Sequence, residues 1–240
     1  MLSPLSGALL PAVGRLSVTA DPAAALAPGS IVVANHTSLA DPAVVLAALR
    51  RHGAEPVVLA AAGLWRIPVL GSLLRRGEHI RVHRHDRRAA RALDDAAAAL
   101  ERGRLVLVYP EGGIAARPGA GEEPPGVFRT GPARLAALTG AAVVPVGQAG
   151  ARRITSGSPA RQLAGLATAP LRRPRLHVHI GAPFVPDRDP VRGTAQTRAA
   201  VTGAWRTAAA HLGEPAAPTT DALTGDRATR QRGNGMILKP

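Results

Sequence analysis

The sequence predicts a single-domain α/β sandwich with a mixed central sheet, followed by a flexible C-terminal tail. Short runs of Val, Ile, Leu and Ala alternate with longer stretches bounded by helix-capping residues, and this alternation is typical of α/β folds. The 240 residues suit one such domain with a tail. Because only 2% of them are aromatic, aliphatic side chains and alanine must build the core.

The first predicted elements are a strand, a helix and a second strand. The apolar run at residues 30–34 indicates a short buried strand. Asp41 and Pro42 then predict a helix start, with aspartate as the N-cap and proline at the first helical position, and this helix ends near Gly53. The apolar run at 56–60 predicts the next strand.

The middle of the chain repeats this pattern. Residues 80–83 predict a short strand, and Asp86 can cap a helix over 87–102 whose leucines and alanines share one face. Residues 105–109 (LVLVY) form the clearest buried strand in the sequence. The Gly- and Pro-rich stretch at 117–125 predicts a loop.

The last elements are less regular. Residues 132–138 predict a helix and 142–146 a strand, whose proline indicates an edge position or a strand end. Residues 151–174 have little periodicity and are expected to be a surface excursion. The alternation at 175–180 (RLHVHI) predicts a half-exposed strand with its histidines at a solvated edge, and an Asp-Pro start predicts a final helix over roughly 189–211.

We therefore divide the chain into three parts. Residues 1–27 form an N-terminal leader, either flexible or associated with a membrane surface, because they are weakly apolar, lack a basic n-region and are interrupted by prolines. Residues 28–212 form the folded domain, and residues 213–240 a disordered tail without apolar periodicity. No apolar run reaches the roughly 20 residues of a membrane-spanning helix.

Composition narrows the classes of function. With 30 Lys+Arg against 16 Asp+Glu, the formal net charge is +14, which fits nucleic acid, an anionic membrane surface, a phosphorylated or thioester-carrier substrate, or a compositional bias without function. The chain has no cysteine, which excludes disulfides, Cys-ligated metal centres and a thiol nucleophile.

A histidine and an aspartate follow the strand at residues 30–34. Four residues separate His36 from Asp41, and a turn between them can bring the carboxylate to one imidazole nitrogen while the other stays free. Such a pair fixes the imidazole tautomer and can act as a general base toward an alcohol. The alternative is structural, with Asp41 only capping the helix, and the spacing by itself favours that alternative.

Two other segments can contact an anion. In YPEGG (109–113), a glycine pair after a buried strand can expose backbone N–H groups, and Glu111 lies at the carboxyl edge of the sheet, where ligands of α/β sheets bind. A second, basic segment can bind phosphate through Arg81, Arg84, Arg87 and Arg88. A plain turn and a solvated charged edge are the alternatives for these two segments.

Taken in order, these segments resemble the glycerophospholipid acyltransferase family, of the lysophosphatidic acid acyltransferase type. That family carries an N-H-x-x-x-x-D block, a block from a glycine to I-x-x-x-R, a (F/Y)-P-E-G-T-R block and a V-V-P-V block. Here they read NHTSLAD, GEHIRVHR, YPEGG and VVPV, within a similarity that covers roughly residues 28–186. Four weak blocks in one order are strong together, and they favour the catalytic interpretation of His36 and Asp41.

The resemblance implies roles for individual residues. His36 would be the general base and Asp41 would orient it, with no covalent acyl-enzyme. Asn35 and Ser38 would support the turn between them, and residues 143–146 would help to shape the acyl or acceptor pocket. The substrate-binding residues would be Arg84, Glu111, Gly112, Gly113 and Arg117.

The sequence departs from the family pattern at positions that concern the acceptor. Gly113 and Ile114 stand where the family usually has Thr and Arg, so a phosphate contact is missing unless Arg117 supplies it. Ala61 and Ala62 stand where the family often has lysine. The resemblance therefore supports acyl transfer better than it identifies the acceptor.

The implied function is transfer of a fatty acyl group from an acyl-CoA or acyl-carrier-protein thioester to the free hydroxyl of a lysophospholipid, first of all 1-acylglycerol-3-phosphate. Another lysolipid, such as an amino-acid lipid, or a specialised alcohol is the alternative acceptor. We expect no cofactor beyond the thioester donor, no metal, since the histidines lack ligand spacing, and no nucleic acid. We also expect peripheral attachment to an anionic membrane on its cytoplasmic face, while the oligomeric state stays open.

Two hypotheses from other classes remain. A basic nucleic-acid-binding protein is supported by the charge alone, since the chain has few aromatic residues for stacking and no recognisable nucleic-acid-binding motif. A degenerate member of the family that binds lipid without catalysis is suggested by the altered YPEGG block.

Overall fold

The computed structural model describes residues 2–83, 89–114 and 121–214, and within them the chain folds around one seven-stranded sheet. Its strands are β1 (Arg15–Ala20), β2 (Ile31–Ala34), β3 (Val57–Ala61), β4 (Ile80–Val82), β5 (Val106–Val108), β6 (Val143–Ala149) and β7 (Arg175–Ile180). They follow the order β1-β7-β6-β2-β5-β3-β4, and every neighbouring pair is parallel except β6 with β7. The predicted single α/β domain with a mixed sheet is therefore confirmed.

Helices cover both faces of this sheet. They are α1 (Leu2–Val13), α2 (Asp41–Arg51), α3 (Pro68–Arg76), α4 (Ala89–Glu101), α5 (Gly131–Thr139), α6 (Pro159–Arg172) and α7 (Pro190–His211), with 3₁₀ turns at Ala62–Arg66 and Ala151–Arg153. One face packs against α1 and α2, and the other packs against α4, α5 and α7. Among the described helices, none is long and apolar enough to cross a membrane.

The folded domain begins before residue 28, where the sequence analysis placed its start. Helix α1 buries Leu10 against α2, and β1 pairs in parallel with β7 as an edge strand of the sheet. Strand β1 was not predicted because it is a partly exposed edge strand, and its sequence contains Ser and Thr instead of a continuous apolar run. Residues 15–20 are therefore part of the sheet and not of a leader.

Strand β7 is more buried than its alternating sequence predicts. Only Arg175 is exposed, and His177 and His179 are buried instead of lying at a solvated edge. Strand β1 supplies their partners: Ser17 Oγ lies 2.7 Å from His177 Nδ1, and Thr19 Oγ1 lies 2.9 Å from a ring nitrogen of each histidine. The edge interpretation was wrong because it did not include β1 and the covering helix α7.

Two predictions for the segment after α5 are also corrected. Strand β6 lies in the middle of the sheet although it contains Pro145, because pairing with β7 is interrupted there, between Ile180 and the bridge at Phe184. Gly181, directly after Ile180, still donates its N–H to the Pro145 carbonyl at 2.8 Å, so the proline costs only the reciprocal bond. Residues 151–174 contain the 14-residue helix α6 instead of an irregular excursion, although most of this helix is exposed as expected; its N-cap Ser158 accepts a hydrogen bond from the Arg161 N–H.

The topology brings the predicted functional segments to one edge of the sheet. Strands β2, β3, β4 and β5 are parallel, so their carboxyl ends lie side by side. The loop with His36 leaves β2, and the turn with Glu111 leaves β5, directly beside it. The predicted tail lies outside the described residues from position 215 onward.

Candidate active site

His36 and Asp41 form a hydrogen-bonded pair in the loop between β2 and α2. His36 Nδ1 donates to Asp41 Oδ2 over 3.0 Å, which leaves Nε2 as the nitrogen available to a ligand. The imidazole is 15% exposed, whereas the carboxyl group of Asp41 is fully buried. A ligand can therefore reach the histidine without reaching the aspartate.

The aspartate is held by the loop and does not cap the helix. Its Oδ2 also accepts the backbone N–H groups of Thr37 and Ser38 at 2.5 and 2.8 Å, and the N-cap position of α2 belongs to Ala40. Burial raises the pKa of Asp41 above its ordinary value, and the hydrogen bonds from His36, Ser38 and Thr37 oppose that rise. These bonds define the direction in which the carboxylate faces the imidazole.

Asn35 joins the same loop to strand β6. Its side-chain amide donates to the carbonyl of Gln148 at 3.0 Å and accepts the N–H of Gln148 at 2.8 Å. The amide thus continues the β2–β6 pairing for one step beyond the end of β2, where the backbone turns toward His36. Asn35 and Gln148 are both buried, so the backbone N–H and the carbonyl of Gln148 would each lose a partner if the amide were removed.

Ser38 fastens the other side of the loop. Its Oγ lies within hydrogen-bond distance of the Thr155 hydroxyl at 2.5 Å and of the Thr155 carbonyl at 2.9 Å. Thr155 follows the 3₁₀ turn at Ala151–Arg153 and immediately precedes the segment that leads into α6. The loop at residues 35–41 is therefore bonded to two distant parts of the chain, through Asn35 and through Ser38.

Glu111 binds the backbone on both sides of the site. One carboxylate oxygen accepts the N–H of His36 at 2.7 Å, and the other accepts the N–H of Gly126 at 2.9 Å. The sequence pattern presented Glu111 as an acceptor-binding residue or as a solvated turn residue. Its contacts instead show that it accepts a hydrogen bond from the backbone of the candidate base and so helps to position it.

Tyr109 belongs to the site although the sequence analysis gave it no role of its own. Its ring lies 4.6 Å from the His36 ring, centroid to centroid, at an interplanar angle of 35°. The phenol oxygen is buried and has no hydrogen-bond partner among the described residues. Burial raises the pKa of Tyr109 well above its ordinary value, and the negative charge of Asp41 adds to that rise. The only sequence signal was its place at the head of the YPEGG block.

A cleft of about 400 Å³ opens beside Tyr109, where β3, β4 and β5 end. Its walls are mainly apolar, and they include Leu59, Ala61, Val82, Leu93 and Val108. Gly112 also lines it with φ +71°, and a Cβ at this position would lie 2.3 Å from Nε of Arg129. A side chain at position 112 would therefore displace Arg129 from the turn.

The remaining predicted site residues are distributed as follows. Arg84 and Arg117 lie outside the described residues, as do Arg87 and Arg88 of the basic segment. Gly113 continues the turn after Gly112, and Arg81 stacks over the Trp65 ring at 5.2 Å. Residues 143–146 are buried in the centre of the sheet and do not line the cleft, in contrast to the pocket role expected for them. Among the described residues, no group of three or more potential ligands could hold a metal ion.

Comparisons with known proteins agree with this architecture. Residues 15–148 match the family model described as Acyltransferase. The crystal structure of the 1-acyl-sn-glycerophosphate (LPA) acyltransferase PlsC from Thermotoga maritima is similar to this fold, with a TM-score of 0.63 and 20% sequence identity over 86% of this chain and 78% of that chain. No match is found among curated protein sequences.

Proposed function

Because the chain belongs to the acyltransferase family, we propose that it transfers a fatty acyl group from a thioester to the free hydroxyl of a lysophospholipid, most simply 1-acylglycerol-3-phosphate. The observation that carries this proposal is the His36–Asp41 pair, whose imidazole is partly exposed and contacts Tyr109 at the wall of a largely apolar cleft. The acyl donor in this proposal is an acyl-CoA or an acyl-carrier protein.

The proposed chemistry is general-base catalysis without an acyl-enzyme. His36 Nε2 takes the proton from the acceptor hydroxyl as its oxygen attacks the thioester carbonyl carbon. Asp41 stabilises the imidazolium formed in this step through the bond to Nδ1. The tetrahedral intermediate then expels the thiolate, which receives the proton from His36, so that an ester and a free thiol are the products.

The test of this proposal is product analysis by mass spectrometry. The purified protein receives acyl-CoA or acyl-carrier protein together with 1-acylglycerol-3-phosphate, an amino-acid lysolipid or a simple alcohol. We expect an acylated product with the native protein and none with His36→Ala. His52→Ala is the matched control, because His52 is an exposed histidine at the opposite end of α2. Undiminished product formation by folded His36→Ala would refute the role of the base.

We further propose that the protein works at an anionic membrane, attached peripherally to its cytoplasmic face. Helix α6 supports this, because Leu163, Leu166 and Leu171 on it are 49–90% exposed. Arg161, Arg172 and Arg173 are exposed on or directly after the same helix, and residues 151–174 contain no acidic residue, so this apolar surface is bordered by positive charge. The Ser38–Thr155 contacts connect the segment to the His36 loop.

Vesicle sedimentation tests the membrane proposal. We expect binding to phosphatidylglycerol vesicles that weakens with added salt, and much weaker binding to phosphatidylcholine vesicles. Replacing both Leu163 and Leu166 with serine should reduce binding. The control is Leu138→Ser, which changes an equally exposed leucine on α5 at the other face of the sheet. Equal binding of the two vesicle types, or equal loss in the control, would contradict the proposal.

A further inference from the structure

Two arginines, Arg129 and Arg134, line the cleft beside Tyr109. Both are exposed, and neither has an ion-pair partner among the residues that the structure describes. Several other described arginines bond through their side chains to backbone carbonyls, as Arg152 does to the Gly121 carbonyl at 2.6 Å. The side chains of the two cleft arginines make no such bond to the described residues.

The cleft offers these cations no neutralising charge. Among the described residues that line it, none is acidic, and the rest of the surface is largely aliphatic. Apolar walls beside a positive rim concentrate the electrostatic attraction for an anion. A ligand that satisfies both parts of the cleft carries an anionic group and a hydrocarbon chain.

Arg129 is placed close to the catalytic pair by its own backbone. Its N–H donates to the Pro110 carbonyl at 2.9 Å, and its side chain lies against Gly112. Pro110 directly follows Tyr109, whose ring contacts that of His36. The side chain of Arg129 therefore lies over the turn that borders the candidate base.

We propose that Arg129, assisted by Arg134, binds a phosphate group of a substrate whose acyl chain lies along the apolar walls of the cleft. The inference rests on the proposed function, since it assigns a substrate contact within the same site. It also accounts for Ile114, which stands where the family pattern has arginine. The positive charge near this turn comes instead from Arg129, which lies against the turn although it is distant from it in sequence. Guanidinium groups suit this role because they bind phosphate oxygens in pairs.

The phosphate has two possible sources, which share this chemistry. It belongs either to the acceptor, as in 1-acylglycerol-3-phosphate, or to the donor, as in coenzyme A or the carrier-protein prosthetic group. Steady-state kinetics of Arg129→Ala separate the two, with each substrate varied in turn at saturating concentration of the other. Monoacylglycerol serves as an acceptor without phosphate.

We expect Arg129→Ala to raise one KM by about 10- to 100-fold, the range for one lost charge-assisted contact, with little change in kcat. A higher KM for 1-acylglycerol-3-phosphate but not for monoacylglycerol identifies the acceptor as the source, and a higher KM for acyl-CoA identifies the donor. Arg129→Lys should restore part of the loss, because it keeps the charge without the paired geometry. A residue that only supports the fold would affect both acceptors equally.

Arg15→Ala is the matched control, because it removes one exposed arginine from the opposite edge strand of the sheet. Unchanged KM values for both substrates in folded Arg129→Ala would overturn the inference. If the native protein transfers no acyl group, the proposed function fails separately. Titration calorimetry with short-chain 1-acylglycerol-3-phosphate and with acyl-CoA then decides the inference, since the loss of Arg129 must still weaken the binding of one of them.

Discussion

Replacing Glu111 with glutamine should lower kcat and thermal stability together while leaving the KM for the acceptor unchanged. Its two oxygens accept the N–H groups of His36 and Gly126 at 2.7 and 2.9 Å. Glutamine keeps one oxygen and turns an NH2 group toward the second N–H, so one backbone donor loses its acceptor. We estimate the cost at about 2 kcal/mol, which corresponds to about 6 °C in Tm for a domain of this size.

The catalytic effect follows from the same contact. If the N–H of His36 loses its acceptor, the imidazole is less firmly directed toward the substrate, and a displacement on the order of 1 Å costs about 10- to 100-fold in rate. We expect the acceptor KM to stay the same, because the contacts of Glu111 with the His36 and Gly126 backbone give it an effect on the base and not on the binding of the acceptor. Replacement of a residue that bound the acceptor directly would instead raise the acceptor KM and leave kcat nearly unchanged.

The assay combines thermal unfolding followed by circular dichroism with steady-state acyl transfer at varied acceptor concentrations. Glu101→Gln is the control, since it removes the same charge from an exposed position at the end of α4. A KM for the acceptor raised tenfold or more, with kcat and Tm unchanged, would refute the positioning role and restore the acceptor-binding role that the sequence pattern implies.

Three further predictions follow from buried groups. Asp41→Asn should lower kcat by about 100- to 10,000-fold, because the amide cannot stabilise the His36 imidazolium, while Tm measured by calorimetry stays equal or rises as a buried charge is removed. Burial lowers the pKa of His177 to about 4, below the 6.5 of the unfolded chain, so unfolding binds protons and stability should fall between pH 7 and pH 4, by less than the roughly 3 kcal/mol that the undamped pKa difference would give, because solvent screens part of it; an unaltered pH slope of Tm in His177→Asn would contradict this. Gly147→Ala should lower the free energy of unfolding, measured by urea titration, by about 1–3 kcal/mol or more, because its Cβ would lie 2.0 Å from the backbone of Ala204.

The sequence predicts best what depends on neighbouring residues. The strands that later proved to be β2, β3, β5 and β6 are short aliphatic runs whose burial requires no knowledge of their partners. Likewise His36 and Asp41 are five positions apart, so a single turn suffices to bring them together. Such features can be predicted because the residues that determine them are close together in the sequence.

Features that depend on a distant partner were missed or misinterpreted. Strand β1 has no apolar run of its own, and the two histidines of β7 are buried beneath helix α7 and beside β1, whose Ser17 and Thr19 lie within hydrogen-bond distance of their ring nitrogens. The position of Pro145 in a central strand similarly depends on where β7 stops pairing with β6. None of these strand partners lies within 30 residues, so a local pattern could not contain them.

The candidate site combines a short-range pair, His36 and Asp41, with contacts from distant parts of the chain. The short-range pair is held by three long-range contacts: Asn35 with Gln148, Ser38 with Thr155, and the His36 backbone with Glu111. These contacts come from β6, from the segment after β6 and from the turn after β5, so the direction of the imidazole depends on the assembled sheet. Activity should therefore be lost when the pairing of β6 with β2 is weakened, even though the NHTSLAD segment itself stays unchanged. The motif specifies the reacting groups, whereas the sheet gives them a fixed geometry.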